Sequence, residues 1–456
     1  MVKNKRVGVI SLGCDKNRVD TEKMLAILSE RHVVTPDIEK TQILIINTCA
    51  FLESSRKEAI DEILSAVSLK ADAKSNAHLS ATKDAPINAD GGLEKIIVTG
   101  CLPQKFVGEL IDCLPEVDAF MGVSDYARIN EVIDQIYLDK RLNAVGAPCG
   151  EPTTKRVVST PHYAYLKVAD GCSNHCTYCL IPYIRGRYRS VPLDDLVTEA
   201  KALGDVAELI LVAQDTTSYG QERGDGTNLC TLIRALSALD NVKKIRLLYC
   251  YPENITEELI DQLACNPKLI KYIDIPFQHA DDKVLKLMNR KGTGERYLSL
   301  IDKLKRRVSG IAIRSTFITG FPQETDEAFQ NLLDFIGKAR LFNAGFFKYS
   351  REAGTPAYKL VGQIPAAVKT ARLKKLYAAQ KKVVKQNYKE LIGKTVSVLA
   401  EGFDSDGLVY YGRAYFNAPD VDGKVYFFSA DEVEYGKEVE VKIIKATGYD
   451  LYGERV

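Results

Sequence analysis

The stretch GCSNHCTYC, residues 171–179, places Cys172, Cys176 and Cys179 within eight positions. Three thiolates on so short a loop can reach one metal centre from the same side, and such soft ligands favour zinc or iron–sulfur clusters. In a [4Fe–4S] cluster they would bind three irons and leave the fourth open to a cofactor. Structural zinc takes four protein ligands, so zinc with His175 is the alternative. The spacing predicts an iron–sulfur centre.

The cysteine loop follows the first of six β-rich segments that alternate with helical patterns. The six predicted strands are residues 164–168, 208–213, 244–249, 271–275, 311–318 and 344–349. Predicted helices between them include 194–203, 257–263 and 326–340. Six strand–helix units are too few for the eight of a closed barrel. The pattern therefore predicts an α/β fold, a partial (β/α)6 barrel over residues 158–365.

Residues 1–147 also alternate between strand and helix patterns, which is typical of a mostly parallel sheet covered by helices. The predicted strands are 6–12, 43–46 and 96–99, and the predicted helices are 19–29 and 54–67. Residues 73–92 are nearly free of large apolar side chains, and we interpret them as a solvated loop, an insertion without chemistry. The proline- and arginine-containing segment 148–161 marks the boundary with the barrel.

A second cysteine group is spread over this first domain. Cys14, Cys49 and Cys101 each follow a predicted strand, and the carboxyl ends of parallel strands share one edge, where α/β sheets bind ligands. A single such cysteine is more often a core residue, but three equivalent positions predict a shared metal site. The other five show no comparable spacing and are interpreted as core or surface thiols: Cys113, Cys149, Cys230, Cys250 and Cys265.

Composition favours a cytoplasmic protein without a membrane span. The chain is 46% hydrophobic and 27% charged, and no apolar run approaches the 18 or so residues that cross a bilayer. The apolar run at residues 7–12 is too short for a signal peptide. We therefore expect a reducing compartment, in which metal binding explains clustered cysteines better than disulfides do.

The C-terminal part differs in pattern and in charge. A basic connecting helix is predicted over residues 366–392, and short alternating strands then predict a small antiparallel β-barrel over 393–456. The predicted strands are 396–401, 408–415, 424–428 and 438–444. This last module carries 12 acidic and 7 basic residues in a chain of net charge +2. An acidic module suits a basic partner rather than nucleic acid.

The spacing of the cysteine loop, with Tyr178 before the third cysteine, resembles the radical S-adenosylmethionine superfamily. The resemblance implies a partial (β/α)6 barrel, and a [4Fe–4S] cluster whose open iron binds S-adenosylmethionine and cleaves it to a 5′-deoxyadenosyl radical. Gly320 and Pro322, which flank Phe321 after the fifth strand, are similar to the family's adenine-side motif. Further candidates for binding the cofactor lie on barrel strands or just after them: Gln214, Gln278 and Arg314.

The whole chain resembles the radical S-adenosylmethionine methylthiotransferase family, which joins a three-cysteine α/β domain, a radical barrel and a small TRAM barrel. The resemblance implies two [4Fe–4S] clusters, S-adenosylmethionine, an electron donor protein and a sulfur donor. It also implies transfer of a methylthio group to an unactivated C–H bond, which no side-chain base could deprotonate near neutral pH. The chain departs from the family at Gln323, where glycine is usual.

Members of the family modify an adenosine of tRNA or the β-carbon of an aspartate in the small-subunit ribosomal protein uS12. Residues 13–20, GCDKNRVD, resemble the aspartate branch, since the tRNA branch tends to carry Gln-Met in place of Asp15 and Lys16. We therefore expect a ribosome-associated protein substrate. The basic helix, residues 369–389, keeps the tRNA alternative open, and a non-catalytic cysteine–metal scaffold is the alternative from another class.

Overall fold

The computed structural model describes residues 1–80, 92–138, 140–147 and 153–456. The chain divides into two compact units. The first comprises Met1–Ser159 together with Asp170–Ser173 and Cys179–Ala202, and the second comprises the rest. The first unit thus includes segments beyond the boundary predicted near residue 158. Cys149 and part of the predicted boundary segment lie outside the described residues.

The first sheet is parallel and covered by helices on both faces, as predicted. Its strands have the order β2-β1-β3-β4-β5-β6. Helices α2 and α3 pack on one face, and α1 and α4 pack on the other. The elements are β1 (Arg6–Ser11), α1 (Asp15–Ser29), β2 (Val33–Val34), β3 (Ile43–Thr48), α2 (Glu53–Ser80), β4 (Lys95–Gly100), α3 (Cys101–Cys113), β5 (Ala119–Met121), α4 (Ile129–Ile136) and β6 (Leu142–Ala144).

Two features of this sheet differ from the prediction. Strands β2, β5 and β6 have only two or three residues each, too few to show a pattern in the sequence. Helix α2 continues to Ser80, so residues 73–80 of the predicted loop are helical, in a segment without glycine or proline. Residues 81–91 of that loop lie outside the described part of the chain.

The six predicted barrel strands are present and form one parallel sheet in the order β14-β13-β12-β11-β10-β7, which confirms the fold class. Helices α7 to α11 begin at side chains that cap free backbone N–H groups: Asn228, Thr256, Asp281, Thr293 and Thr325. The elements are β7 (Tyr163–Lys167), β8 (Ala169–Asp170), α5 (Ile181–Arg185), β9 (Arg189–Ser190), α6 (Leu193–Ala202), β10 (Val206–Val212), α7 (Leu229–Ser237), β11 (Val242–Leu247), α8 (Glu257–Cys265), β12 (Leu269–Asp274), α9 (Asp282–Leu287), α10 (Gly294–Arg307), β13 (Ala312–Thr319), α11 (Asp326–Ala339) and β14 (Asn343–Lys348).

The C-terminal module is a closed five-stranded barrel, reached through a long helix. The elements are α12 (Ala366–Lys389), β15 (Thr395–Asp404), β16 (Val409–Ala414), β17 (Val425–Phe428), β18 (Glu438–Thr447) and β19 (Asp450–Arg455). The prediction missed β19, whose sequence DLYGER lacks an alternating apolar pattern. Within the described ranges, no helix is long and apolar enough to cross a membrane.

A buried ionic group joins this small barrel to the second sheet. Glu208 on β10 pairs with Arg246 on β11 and, at 2.8 Å, with Arg413 on β16. Arg413 also binds Glu401 at 2.8 Å, and Arg246 donates to the carbonyl of Tyr415 at 2.8 Å. Burial acts to raise the pKa of Glu208, but the two guanidinium groups outweigh it and hold that pKa below its usual value.

We expect Glu208→Gln to destabilise the second unit by about 3–5 kcal/mol near neutral pH, because it leaves two buried guanidinium groups with one carboxylate. A carboxyl with a lowered pKa contributes stability above its ordinary pKa of about 4, and loses that contribution as the pH falls further. Unfolding at pH 7 and at pH 4 measures the effect. If the variant and the wild type differ in their free energy of unfolding by as much at pH 4 as at pH 7, this account is contradicted.

Candidate iron–sulfur centres

Three cysteines of the first unit, Cys14, Cys49 and Cys101, lie at one edge of its sheet. Cys14 precedes α1, Cys49 follows β3, and Cys101 is the first residue of α3. Their strands β1, β3 and β4 are neighbours in the sheet. The thiols are close enough that negative charge on Cys14 or Cys49 acts to raise the pKa of Cys101. The sheet therefore brings together the three residues that the sequence singled out.

Glycines before two of these cysteines allow the close approach. Gly13 has φ +97°, and a Cβ there would lie 2.7 Å from the Cβ of Cys49. Gly100 has φ +98°, and a Cβ there would lie 2.4 Å from the side-chain oxygen of Asn47. Any other residue would push the strand ends apart at these two positions.

The Asn17 side chain lies between two of the thiols. Its Oδ1 is 3.9 Å from the Sγ atoms of both Cys14 and Cys101, each of which can donate to it. Its Nδ2 donates to the carbonyls of Leu12, at 3.0 Å, and Thr48, at 3.1 Å. This amide therefore fixes the distance between the ends of β1 and β3.

Arg185, at the end of α5, is the buried cation of the same site. Its guanidinium donates to Asn17 Oδ1 at 2.7 Å, contacts Asp20 and Asp170 at 3.0–3.2 Å, and lies 3.8 Å from the Sγ of Cys101. Burial opposes its charge, but the carboxylates and thiols around it raise its pKa well above the ordinary value. A permanent positive charge therefore stands beside the sheet-edge thiols.

Burial raises the pKa of the Cys101 thiol to about 12, although Arg185 acts against this, and burial also raises the pKa of Cys49. Both thiols are therefore protonated near neutral pH until a metal centre displaces the proton. A thiolate formed there would lie next to a cation.

Three residues of this site were not predicted from the sequence: Arg185, Asn17 and Asp20. Asn17 and Asp20 belong to the quoted segment GCDKNRVD, three residues apart and so on one face of α1. Arg185 is one of three arginines in the segment 185–189, RGRYR. Nothing local distinguishes this buried arginine from its exposed neighbour Arg187.

The cysteine loop is divided between the two units, so its two parts are described separately. In the first unit, the backbone N–H of Cys172 donates to the carbonyl of Gly186 at 3.1 Å. Gly171 has φ +77°, and a Cβ there would lie 2.2 Å from the carbonyl oxygen of Arg187. The entry to the loop therefore requires glycine. Cys179, also in this unit, is half-buried.

In the second unit, Cys176 lies beside a buried arginine. The Nη1 atom of Arg290 is 4.0 Å from the Sγ of Cys176, and the guanidinium stacks on the ring of Tyr251 at 4.0 Å. Thr177 anchors this part of the loop, because its backbone N–H donates to the carbonyl of Met288 at 3.1 Å. His175, the zinc alternative's fourth ligand, has an exposed side chain.

Among the described residues, no three Cys, His, Asp or Glu side chains are grouped so that they could hold a single metal ion. The zinc alternative therefore gains no support from the side-chain arrangement. A [4Fe–4S] cluster binds each thiolate at a different iron, so its ligands stand farther apart than those of one ion. Converging thiols beside a buried cation suit a cluster, whose cysteine ligands bind as anions.

Most of the predicted cofactor-binding residues lie at or beyond the carboxyl ends of the barrel strands. Gln214 follows β10, and Gln278 follows β12 and pairs its backbone with that of β13. Tyr178 packs against a group of buried hydrophobic residues that contains Phe321, the residue between Gly320 and Pro322. This edge of a barrel is where such folds keep their active sites.

The turn after β13 is held by a buried carboxylate. Glu324 accepts from the backbone N–H of Gly320, from that of Phe321 at 3.0 Å and from the hydroxyl of Thr319 at 2.9 Å. His279 is buried nearby, and burial lowers its pKa to about 3, so it is neutral near pH 7. Its Nδ1 accepts from the backbone N–H of Asp281, as expected for a loop histidine.

The structure does not bring Arg314 together with these residues. It is the third residue of β13, so about 20 Å of strand separates it from Gly320. Its guanidinium contacts Asp274 at 2.9 Å and Asp422 of the small barrel at 3.4 Å. Its strand position alone could not show that it faces the small barrel.

The fold and these sites define a radical S-adenosylmethionine enzyme. The profile of the radical SAM superfamily matches residues 166–336, that of the TRAM domain matches 392–456, and that of the uncharacterized protein family UPF0004 matches 6–122. A solved radical S-adenosylmethionine methyltransferase, TsrM from Kitasatospora setae, has the same fold at a TM-score of 0.53 and 13% identity, over 82% of this chain and 91% of that one.

Full-length relatives identify the family within this class of enzymes. The chain is 42% identical to ribosomal protein uS12 methylthiotransferase RimO of Acetivibrio thermocellus, over 99% of this chain and 98% of the relative. It is also 42% identical to the RimO of Clostridium botulinum, over 98% and 97%. The chain belongs to the family of ribosomal protein uS12 methylthiotransferases.

We expect Arg185→Ala to lower the stability of the first unit by about 3–5 kcal/mol, because it removes the buried cation that pairs with Asp20 and Asp170. Thermal unfolding of the purified protein measures the loss. Arg187→Ala, at the exposed position two residues on, is the matched control and should change stability by no more than about 0.5 kcal/mol. Equal effects of the two substitutions would contradict the role given to Arg185.

Proposed function

We infer that this chain is a radical S-adenosylmethionine methylthiotransferase that adds a methylthio group to the β-carbon of an aspartate in ribosomal protein uS12. The observation that carries this conclusion is full-length identity of 40–42% to relatives that bear that name. Converging cysteines at the first sheet edge support it independently, because a generator of radicals alone would need only the loop cysteines.

We propose that the chain holds two [4Fe–4S] clusters, each bound by three cysteines. Cys172, Cys176 and Cys179 would hold the radical-generating cluster. The sheet-edge cysteines would hold an auxiliary cluster: Cys14, Cys49 and Cys101. When bound, the first cluster supplies the electron that cleaves S-adenosylmethionine, and the second supplies the sulfur that is transferred.

The surrounding residues would hold the auxiliary ligands ready for the metal. Asn17 sets the spacing between the ends of β1 and β3, and so between Cys14 and Cys49, through its hydrogen bonds to the carbonyls of Leu12 and Thr48. The Arg185 guanidinium, 3.8 Å from Cys101, offsets the negative charge of the bound thiolates. Because Arg185 is itself paired with Asp20 and Asp170, it cannot turn away from the site without breaking both ion pairs.

For S-adenosylmethionine, we propose a site at the carboxyl edge of the second sheet. Its predicted contacts are Tyr178, Gln214, Gln278, Gly320 and Pro322. Arg314 is placed elsewhere by its ion pairs, and we assign it a role in attaching the small barrel. The buried turn at Glu324 would hold the backbone of Gly320 rigid against the cofactor, since three donors converge on that carboxylate.

The acceptor is proposed to be protein rather than tRNA. The segment GCDKNRVD resembles the aspartate branch, and the C-terminal barrel is acidic, which complements a basic ribosomal protein. An electron donor protein and a sulfur donor complete the reaction, and a cytoplasmic location follows from a ribosomal substrate.

A substitution at Cys101 separates the two proposed sites. We expect Cys101→Ala to retain cleavage of S-adenosylmethionine to 5′-deoxyadenosine and to lose methylthio transfer to uS12, since only the auxiliary site is changed. Mass spectrometry of uS12 and chromatography of 5′-deoxyadenosine measure the two activities.

Cys113→Ala is the matched control, because Cys113 ends the helix that Cys101 begins and has an exposed side chain. It should retain both activities. Loss of both activities in Cys101→Ala alone would argue against separate sites. A methylthio mass increase on tRNA and none on uS12 would establish the tRNA alternative, and neither activity in wild type would favour the scaffold.

A further inference from the structure

Helix α12 carries an unusual charge. Its 24 residues include seven lysines and one arginine and no acidic residue. Arg372 is buried and engaged by Glu324 at 3.1 Å and Asp326 at 2.8 Å. Lys369 donates to the carbonyl of Tyr349 at 2.9 Å. These three contacts attach the start of the helix, and none of them involves the remaining lysines.

The other six lysines form one exposed face, which we name the lysine stripe: Lys374, Lys375, Lys381, Lys382, Lys385 and Lys389. At 100° per residue they fall within about 120° of the helix surface, and they extend over about 22 Å. The opposite face is buried through residues that include Leu376, Val383 and Val384. None of the six lysines is ion-paired with a described residue.

This arrangement is unfavourable for the helix alone. Lys381, Lys385 and Lys389 follow one another at intervals of four, and like charges at that spacing destabilise a helix by about 0.2–0.5 kcal/mol per pair. A face that served only to stay hydrated would gain stability from interspersed glutamates. The chain instead keeps a single sign of charge along the whole face, which favours a polyanionic partner.

We propose that the lysine stripe binds the phosphate backbone of ribosomal RNA, so that the enzyme takes uS12 from a small-subunit particle rather than as free protein. This rests on the proposed function and names the form of its substrate. Lysine suits phosphate as a compact point charge on a flexible stem, and successive phosphates match successive lysines. The acidic small barrel would meet the basic protein while the helix meets its RNA.

A protein partner fits the lysine stripe less well. The core of a protein interface is enriched in aromatic residues and arginine and depleted in lysine. The stripe contains no arginine, and Ala378, exposed between Lys375 and Lys381 on the same face, offers little apolar area. This small residue leaves room for a phosphate backbone to approach the helix.

The test compares two substrates and two quadruple variants of the cluster-loaded enzyme. The stripe variant replaces Lys374, Lys381, Lys385 and Lys389 with glutamine, which keeps helix propensity. The control variant makes the same change of charge at four exposed lysines outside α12 and the small barrel: Lys57, Lys201, Lys243 and Lys338. The substrates are purified free uS12 and small ribosomal subunits that lack the modification.

With subunits, we expect KM of the stripe variant to rise by about tenfold or more at unchanged kcat, because several phosphate contacts are lost. With free uS12, the wild type and both variants should have equal KM and kcat values. In binding to subunits, the magnitude of the slope of log K against log salt should fall by about 3–4, since each of the four lost contacts removes about 0.7–0.9.

Equal KM values for wild type and the stripe variant on subunits would overturn the proposal, as would an equal loss in the control variant. Selective loss of tRNA binding would assign the stripe to tRNA instead. If wild type modifies neither form of uS12, the proposed function itself fails. If wild type modifies both forms and the stripe variant does so equally, only the docking proposal fails.

Discussion

One buried cation, Arg185, links three parts of the first unit: helix α1, the entry to the cysteine loop and the sheet edge that carries the thiols. It lies on the helix that follows the cysteine loop, and it contacts Asp170 at the start of that loop, Asp20 on α1 and the thiol of Cys101. The beginning of the loop and the sheet edge therefore share one electrostatic anchor within the first unit. Moving either would separate buried charges, at a cost of several kcal/mol.

The convergence of the thiols follows from a simpler constraint. Parallel strands end at one edge, so cysteines that follow adjacent strands must lie near one another. What the sheet does not supply is fine spacing. Glycines at 13 and 100 allow the close approach, and the Asn17 amide fixes it. Buried polar groups and positive φ angles here are concentrated where a metal centre would bind, which is typical of functional sites.

Much of this arrangement was predictable from sequence because it rests on local pattern. The six barrel strands, the three sheet-edge cysteines and the C-terminal barrel were all visible in periodicity and spacing. Arg185 was not, because its burial arises from partners 15 to 168 positions away along the chain. Arg314 was predicted to bind the cofactor because the sequence showed its position on a strand but not its partners. Its position on a strand was clear, but its partner Asp422 belongs to another module.

We propose that six thiolates form two iron–sulfur sites. The most direct measurement is iron and acid-labile sulfide per chain after anaerobic reconstitution, for wild type and for a variant with Cys14, Cys49 and Cys101 replaced by alanine. Two four-iron clusters predict about eight irons with matching sulfide in wild type and about four in the variant. Four irons in both proteins, or one or two zinc ions without iron, would contradict the account.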